Sequence, residues 1–284
     1  MHQKKIRLHN CRKRMANVVI IFMVVSLFTL YHWIAEAKKT AHIVPQNPKL
    51  NIEVLLLEKD ISSEEIGKIS DQTGLHPNVI QCMLKYGQRE EILDIQRAFY
   101  ERVEFVSVRT TPLTVCEYVV NEQGEYTNGS NIVHLQDGDI LLTKNSRFLG
   151  WRNGHVGLVV DAKKGLVLEA LMLGTNTKLC SVTGWETYPS FLVLRLKEEF
   201  RNSSNVEKVV TYAKQNLLDI PYRLYAGIWN RNTESAISGT QCAHIVWYAY
   251  QQIGINLDSD GGFVVTPNDI QNSSYLEVIQ SYGY

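Results

Sequence analysis

Residues 240–254, TQCAHIVWYAYQQIG, decide the fold, because they form the most regular helical pattern in the chain. Four apolar residues recur at three- and four-residue spacing: Ala243, Val246, Trp247 and Tyr250. This spacing is typical of one apolar face of a helix. Gly239 and Gly254 bracket the pattern as helix breakers. We therefore predict a helix that begins at or near Cys242.

A cysteine at a helix N-terminus has a setting that suits nucleophilic chemistry. Unpaired backbone N–H groups and the positive end of the helix dipole point toward Cys242 there. Both favour the thiolate, which is the reactive form of cysteine. The same amides can stabilise an oxyanion that forms on a substrate carbonyl. The alternative is that Cys242 is a small buried apolar residue, as many free cysteines are.

A partner for Cys242 lies earlier in the chain, in residues 138–161, GDILLTKNSRFLGWRNGHVGLVVD. The pattern predicts a short strand over 140–143, a polar connection, and a second strand that begins at His155. A histidine at the mouth of a strand can face a cleft and act as a general base toward a thiol. The alternative is a structural histidine, since the chain contains eight.

Six segments in this order resemble a known family: GDILL, GHVGLVVD, VLEA, IPYR, TQCAHIVWYAY and GGFVVTPNDI. Together they resemble the YiiX-like, circularly permuted relatives of the NlpC-type papain-fold hydrolases, an order shared with lecithin retinol acyltransferase-like proteins. The resemblance covers roughly residues 135–275. It implies an α+β fold, a permuted papain-like domain whose antiparallel sheet packs on the cysteine helix. It also implies a catalytic dyad of Cys242 and His155, with no cofactor and no metal.

Three further residues are candidates for the site. A hairpin return strand over 166–170 places Glu169 on the same face as His155, where a carboxylate can orient the imidazole. A solvated strand glutamate is the alternative. The resemblance places Tyr222, in DIPYR, near the cleft as an oxyanion donor or wall residue, and a packed aromatic is the alternative. Gln241 adjoins the thiol and is a candidate substrate or oxyanion contact. His244 should point away from Cys242 and be structural.

The N-terminus predicts a membrane location. Residues 1–14 are basic, and residues 18–35 are almost wholly apolar, just long enough to cross a bilayer. The basic flank predicts a cytoplasmic N-terminus and an extracytoplasmic body. We favour a signal anchor, with a signal peptide cleaved after Ala35-Glu36-Ala37 as the alternative. Residues 1–40 hold eight of 29 basic and one of 29 acidic residues, so the remainder has a net charge of −7. An acidic body argues against a nucleic-acid partner.

The chain between anchor and hydrolase divides into two segments. Residues 41–59, with Pro45 and Pro48, are predicted to form an extended spacer. Residues 60–130 are predicted to form three helices and then strands, as a small prefix packed on the hydrolase domain or a wall-contacting module. A helix-turn-helix role is inconsistent with the extracytoplasmic location. The hydrolase domain is assigned to residues 131–284.

The remaining motifs exclude some classes of site. Five cysteines do not form a disulfide framework, and Cys82, Cys116 and Cys180 are expected to be unpaired thiols. Residues 258–270, DSDGGFVVTPNDI, lack the EF-hand spacing and are interpreted as a rim loop of the cleft. We therefore expect a cysteine peptidase or amidase acting on cell-envelope peptides. The alternatives are a lipid acyl hydrolase or acyltransferase, and a catalytically idle wall-binding module.

Overall fold

The computed structural model describes residues 2–37, 39–58, 60–226 and 237–284, which form an α+β fold with antiparallel sheets. The helices are α1 (His2–Ala37), α2 (Glu53–Leu56), α3 (Ser63–Thr73), α4 (Pro77–Lys85), α5 (Arg89–Tyr100), α6 (Thr183–Glu186), α7 (Ser203–Asn216), α8 (Cys242–Gln251) and α9 (Pro267–Gln271). The strands are β1 (Phe105–Arg109), β2 (Thr114–Val119), β3 (Ile140–Thr143), β4 (Ser146–Phe148), β5 (His155–Asp161), β6 (Leu166–Glu169), β7 (Lys178–Ser181), β8 (Phe191–Leu196) and β9 (Leu276–Tyr282).

Helix α1 contains one segment that is long and apolar enough to cross a membrane, Arg14–Tyr31, with a mean hydropathy of 1.9. None of this segment is buried against the rest of the chain. A segment this apolar and this exposed is suited to an apolar environment such as a bilayer. By length and composition, this N-terminal helix is suited to be a membrane anchor or a signal sequence.

Six strands form the central sheet in the order β7-β6-β5-β3-β8-β9. All neighbouring pairs are antiparallel. The middle strands β3 and β5 are almost entirely buried, because both faces of the sheet are covered. The bounds predicted for β3 are confirmed, as is the start of β5 at His155.

Alternation along these strands sends side chains into two apolar cores. Ile140, Leu142 and Leu158 pack with helices α7 and α8 on one face. On the other face, Leu141 and Val159 pack with the helices of the prefix. That second core takes its helical residues from α3, α4 and α5: Ile66, Ile69, Val79, Ile80, Met83, Ile92 and Ile95. The prefix is therefore packed on the sheet and shares a core with the segment from 131 onward.

Local sequence signals explain where the prefix helices begin and end. Ser62 and Glu65 form a capping box at the start of α3, and Gly74 ends it in the left-handed conformation. Pro77 lies in the first turn of α4. Helix α5 ends at Tyr100, where the backbone of the next residue, Glu101, is extended.

A second sheet of three strands, in the order β1-β2-β4, lies beside the mouth of β5. Strand β4 occupies the polar connection between β3 and β5, where no strand was predicted. This pairing matters for the site, because it fixes the segment that precedes His155.

The prediction of a spacer over 41–59 needs correction. Residues 39–52 contain no helix or strand, as expected, but Ala41, His42 and Ile52 are buried in the domain. His42 is buried, with Nδ1 and Nε2 bonded to the carbonyl oxygens of Pro189 and Glu101 at 2.6 and 3.0 Å. Ile52 and Leu56 are fully buried in the second core.

Candidate active site

Helix α8 begins at Cys242, as predicted, and Gln241 caps it. The Gln241 side-chain Oε1 accepts a hydrogen bond from the Ala243 amide at 2.9 Å, and its Nε2 donates to the Val265 carbonyl at 2.8 Å. Cys242 Sγ lies 3.6 Å from the same Oε1. Gln241 was predicted as a substrate or oxyanion contact. Its side chain instead holds the helix start, the thiol and the neighbouring loop in place.

His155 opens strand β5, and a glycine makes its position attainable. Gly154 has a φ of 75°. A Cβ at this position would collide with the carbonyl oxygen of Thr143, which lies opposite on β3. Only glycine accepts both the left-handed backbone and the close approach. The chain can therefore turn sharply into β5 and leave the His155 ring at the cleft, 7% exposed.

Glu169 lies diagonally across from His155, on the same face of the sheet. The strand register pairs Glu169 with Gly157, two residues beyond the histidine. His155 Nε2 donates a hydrogen bond to Glu169 Oε2 at 2.9 Å. The predicted shared face is confirmed. Glu169 is 2% exposed, so it is not the solvated glutamate that the sequence left as the alternative.

Trp185 is a site residue that the sequence analysis missed. Its indole stacks on the His155 ring, with centroids 5.2 Å apart and planes 20° apart. Its Nε1 donates to the second oxygen of Glu169 at 2.8 Å. A Cβ on Gly157 would lie 2.9 Å from the indole and 3.3 Å from Glu169 Cγ. The absent side chain at Gly157 therefore makes room for both residues.

The electrostatic setting favours a protonated His155. Burial alone would lower the pKa of this imidazole, because it disfavours the charged form. Hydrogen bonds to Cys242 and Glu169, together with electrostatic attraction to both groups, outweigh burial and raise the pKa of His155 to about 10. The imidazole therefore carries a proton at neutral pH and contacts both the thiol and the carboxylate.

One cavity of about 1110 Å³ collects every predicted site residue. Its described lining includes Cys242, His155, Glu169, Tyr222 and Gln241. Burial, followed by the charge of nearby Cys242, raises the pKa of Tyr222. The phenol therefore keeps its proton and can serve as a donor beside the thiol.

His244, the histidine of helix α8, has the structural role expected of it. His244 is 3% exposed, and its Nδ1 lies 3.0 Å from Thr240 Oγ1. Burial lowers the pKa of His244 to about 4, so its ring is neutral at physiological pH. The two histidines nearest Cys242 therefore differ in charge.

Two further thiols line the same cavity, Cys116 and Cys180. Both are free and half-buried, as is Cys82. Burial raises the pKa of Cys116. Burial and the negative charge of Glu169 raise the pKa of Cys180 to about 11. These two thiols stay protonated at neutral pH, which makes them poor nucleophiles.

The predicted rim loop does border the cleft, through residues 264–268. Asp269 holds it in place, accepting hydrogen bonds from the amide and hydroxyl of Thr266 at 2.8 and 2.7 Å. Carboxylate oxygens of Asp258, Asp260 and Asp269 lie within 4.8 Å of one another. Among the described residues, these three acids are close enough together to hold a cation. This group is part of the loop that follows the cysteine helix.

No family model, curated protein or solved structure matches the chain.

Proposed function

We propose that the protein is a thiol hydrolase that cleaves acyl bonds through a covalent intermediate on Cys242. The carrying observation is that Cys242, His155 and Glu169 share one cavity, with His155 bonded to Glu169 and in contact with the thiol. A nucleophile, a base and a group that orients the base are the parts that such chemistry requires.

The first half of the reaction forms the acyl-enzyme. The Cys242 sulfur attacks the substrate carbonyl carbon, and the C–S bond forms as the carbonyl oxygen takes up negative charge. The amide of Cys242 and the phenol of Tyr222 are the proposed donors to this oxyanion. Protonated His155 then gives its proton to the leaving group as the tetrahedral intermediate collapses.

The second half releases the product. His155, now neutral, accepts a proton from water, and the hydroxide attacks the thioester carbonyl. Collapse of the second intermediate frees the carboxylic acid and restores the thiolate beside protonated His155. Glu169 keeps Nε2 of the ring occupied throughout, which leaves Nδ1 for the thiol and the water. An acceptor alcohol or amine in place of water would make the same steps an acyl transfer.

The proposed fold is that of the permuted papain-like, YiiX-like hydrolases. Support comes from the order of the parts, since the histidine strand β5 precedes the cysteine helix α8 and the two pack together in one core. The proposed location is the cell membrane, with α1 as the anchor and the domain outside the cytoplasm. The basic flank before the apolar segment supports this orientation.

Two features of the molecule favour an acyl lipid over an envelope peptide as substrate. The sequence favoured the peptide because residues 41–59 would lift the site off the bilayer and no further apolar surface was evident. Ala41, His42, Ile52 and Leu56 are instead buried in the domain, which ties both ends of this segment to it. The cavity is bordered by Phe28 and Thr29 of α1. Its other apolar lining residues include Phe148, Trp151, Leu171, Met172, Leu173 and Leu224.

An assay with two substrates, a muropeptide and a phospholipid, decides between the peptidase and the acyl-lipid function. The full chain and its Cys242→Ala variant, reconstituted in phosphatidylcholine nanodiscs, are incubated with wall muropeptides or with phospholipid. Fatty acid release that requires Cys242 supports the acyl-lipid function. New free amines from muropeptides, also dependent on Cys242, would support the peptidase. Neither product, with an unreactive Cys242, would favour a binding module.

A further inference from the structure

We propose that the cleft selects an anionic amphiphile from the adjoining membrane leaflet, with its acidic headgroup held at Arg147 and its acyl chain along the apolar wall. This inference rests on the proposed thiol hydrolase and names the substrate class of the same site. Three observations carry it: an unbalanced buried charge, a basic cavity lining, and an apolar wall that includes the anchor helix.

The unbalanced charge centres on Glu117. This carboxylate is 1% exposed and is shared by two guanidinium groups. Arg152 binds both of its oxygens, while Arg147 Nη2 reaches Oε1 at 2.9 Å. One carboxylate cannot neutralise two arginines, so one positive charge remains in a largely desolvated place. Such a charge is costly unless a counter-charge joins it.

Both arginines line the cavity, and Arg147 is the more exposed of the two. The Arg152 side chain is 2% exposed and also binds the carbonyl oxygens of Lys144 and Lys39. The Arg147 side chain is 25% exposed and lines the cavity. Its Nε is buried with no hydrogen-bond partner. A planar guanidinium with remaining donors is well suited to a phosphate group.

The rest of the described lining adds positive charge at the same end. Lys39 borders the cavity beside Arg147 and Arg152. The one carboxylate in the described lining is Glu169, which is already bonded to His155 and Trp185. Burial, then the charges of Lys39 and Arg152, lowers the pKa of neighbouring Lys144, as expected where cations are crowded. An anionic group bound here would relieve this repulsion.

The apolar wall identifies the anion as part of a lipid. Phe148 follows Arg147 on strand β4, and Trp151 and Leu224 are 48% and 40% exposed at the same cavity. Phe28 of the apolar helix α1 completes this side. If α1 spans the bilayer, the cleft mouth adjoins the outer leaflet. A phosphate with an attached acyl chain satisfies both ends of the cavity, whereas an acidic peptide satisfies only one.

The test uses the full chain with Cys242→Ala, which cannot turn substrate over, in phosphatidylcholine nanodiscs. The discs carry a trace of photoreactive phosphatidylglycerol or of photoreactive phosphatidylcholine with the same acyl chains. Crosslinked peptides are mapped by mass spectrometry. We expect phosphatidylglycerol to label the cavity lining about tenfold more, which corresponds to ~1.4 kcal/mol. Arg147→Met should remove the preference, since it leaves the Arg152–Glu117 pair in place.

Matched variants keep the outcome decisive. Arg109→Met removes an exposed arginine from the same small sheet, outside the cavity lining, and should preserve the preference. Lys39→Met, at an exposed residue, should reduce it without unfolding the domain. Equal labelling by the two lipids, or a preference unchanged in both Arg147→Met and Lys39→Met, would overturn the proposal.

Further results distinguish a lipid headgroup from a soluble phosphate as the ligand, and the headgroup site from the hydrolase activity. Loss of labelling in millimolar inorganic phosphate would identify a soluble phosphate ligand and overturn the lipid source. If the two lipids label the Cys242→Ala chain equally but the unmutated chain is still acylated at Cys242, the headgroup site is overturned and the hydrolase is not. If phosphatidylglycerol labels the cavity selectively but Cys242 of the unmutated chain is never acylated, the lipid site is supported and the hydrolase is contradicted.

Discussion

Glu169 bonds to His155 at 2.9 Å from a diagonal position on the neighbouring strand, and its second oxygen is bonded to Trp185. Both carboxylate oxygens therefore have buried partners, which fixes the plane of the imidazole. This arrangement makes the orientation of His155 depend on residues from two separate elements, β6 and α6.

Replacing Glu169 by glutamine should cut turnover while the fold remains. An amide keeps the size of the side chain but no longer stabilises the imidazolium, and loss of an orienting acid costs up to ~10⁴ in kcat in the serine-protease template. The measurement is kcat on an activated acyl ester, with the thermal unfolding midpoint as the control for folding. Wild-type turnover in Glu169→Gln would mean that Glu169 does not serve the reaction.

Replacing Trp185 by phenylalanine should give a smaller loss than Glu169→Gln. Phenylalanine keeps a ring beside His155 but removes the N–H that holds the second oxygen of Glu169. A neutral-to-charged hydrogen bond is worth about 1.5–3 kcal/mol, so turnover should fall by roughly ten- to a hundredfold. A variant as inactive as Glu169→Gln would show that Trp185 does more than orient the acid.

Cys242 should be the thiol that iodoacetamide labels first, even near pH 6. A protonated His155 contacts it, while burial raises the pKa of Cys116 and of Cys180. The measurement is the rate of alkylation at each cysteine by peptide mass spectrometry. His155→Ala should slow labelling of Cys242 without unfolding the protein. Equal rates at Cys82, Cys116, Cys180 and Cys242 would remove the dyad.

The two histidines near Cys242 should titrate far apart. His155, with a pKa raised to about 10, should stay protonated as pH rises through 8, and should lose its proton only above that range. His244, with a pKa lowered to about 4, should stay neutral as pH falls to 5. Nitrogen NMR of histidine-labelled protein measures both states, with His155→Gln and His244→Gln for assignment. A neutral His155 at pH 7 would contradict the proposed ion pair.

Gly157→Ala should destabilise the domain, by about 1–3 kcal/mol as overpacked core substitutions do. The added methyl group would lie 2.6 Å from Val167 Cγ1 and 2.9 Å from Trp185. Gly67→Ala is the matched control, since the site on helix α3 has no atom within 4 Å of the new methyl group. It should stabilise the protein by roughly 0.5–1 kcal/mol. Urea unfolding of the chain in micelles compares the two.

The parts of the fold set by local signals were predictable, and the parts set by pairing across the chain were not. The capping box at Ser62, the glycine at 74 and the proline at 77 defined the prefix helices. Strand β7 was missed because its side chains are mostly exposed and lack clear alternation. Strand β9 was missed because it is defined by pairing with β8, some 80 residues earlier.

The residues of the candidate site also divide into those that local sequence signals indicated and those that they did not. A helix start, a strand start and hairpin register made Cys242, His155 and Glu169 candidates, and the family resemblance favoured them over the structural alternatives. Trp185 could not, because it lies in a four-residue helix with no periodic pattern. Gly157 offered a signal, since glycine inside a strand often marks a close approach of another group. In the predicted spacer, the spacing of Ile52 and Leu56, four residues apart, offered a signal for one buried face of a short helix.

Location can be tested independently of chemistry. A reporter that works only outside the cytoplasm, fused after Tyr284, should be active, because the basic flank of α1 is retained inside. The fusion should also stay in the membrane fraction. A reporter active only in the cytoplasm would contradict the orientation, and a soluble active fusion would identify α1 as a cleaved signal sequence.

The most direct test of the account is to trap the acyl-enzyme. The full chain is mixed with an activated acyl ester, quenched in acid and digested, and each cysteine is examined by mass spectrometry. The account predicts an acyl group on Cys242, formed more slowly in His155→Ala and absent from that position in Cys242→Ala. Acylation spread equally over Cys82, Cys116 and Cys180, or hydrolysis that continues in Cys242→Ala, would contradict it.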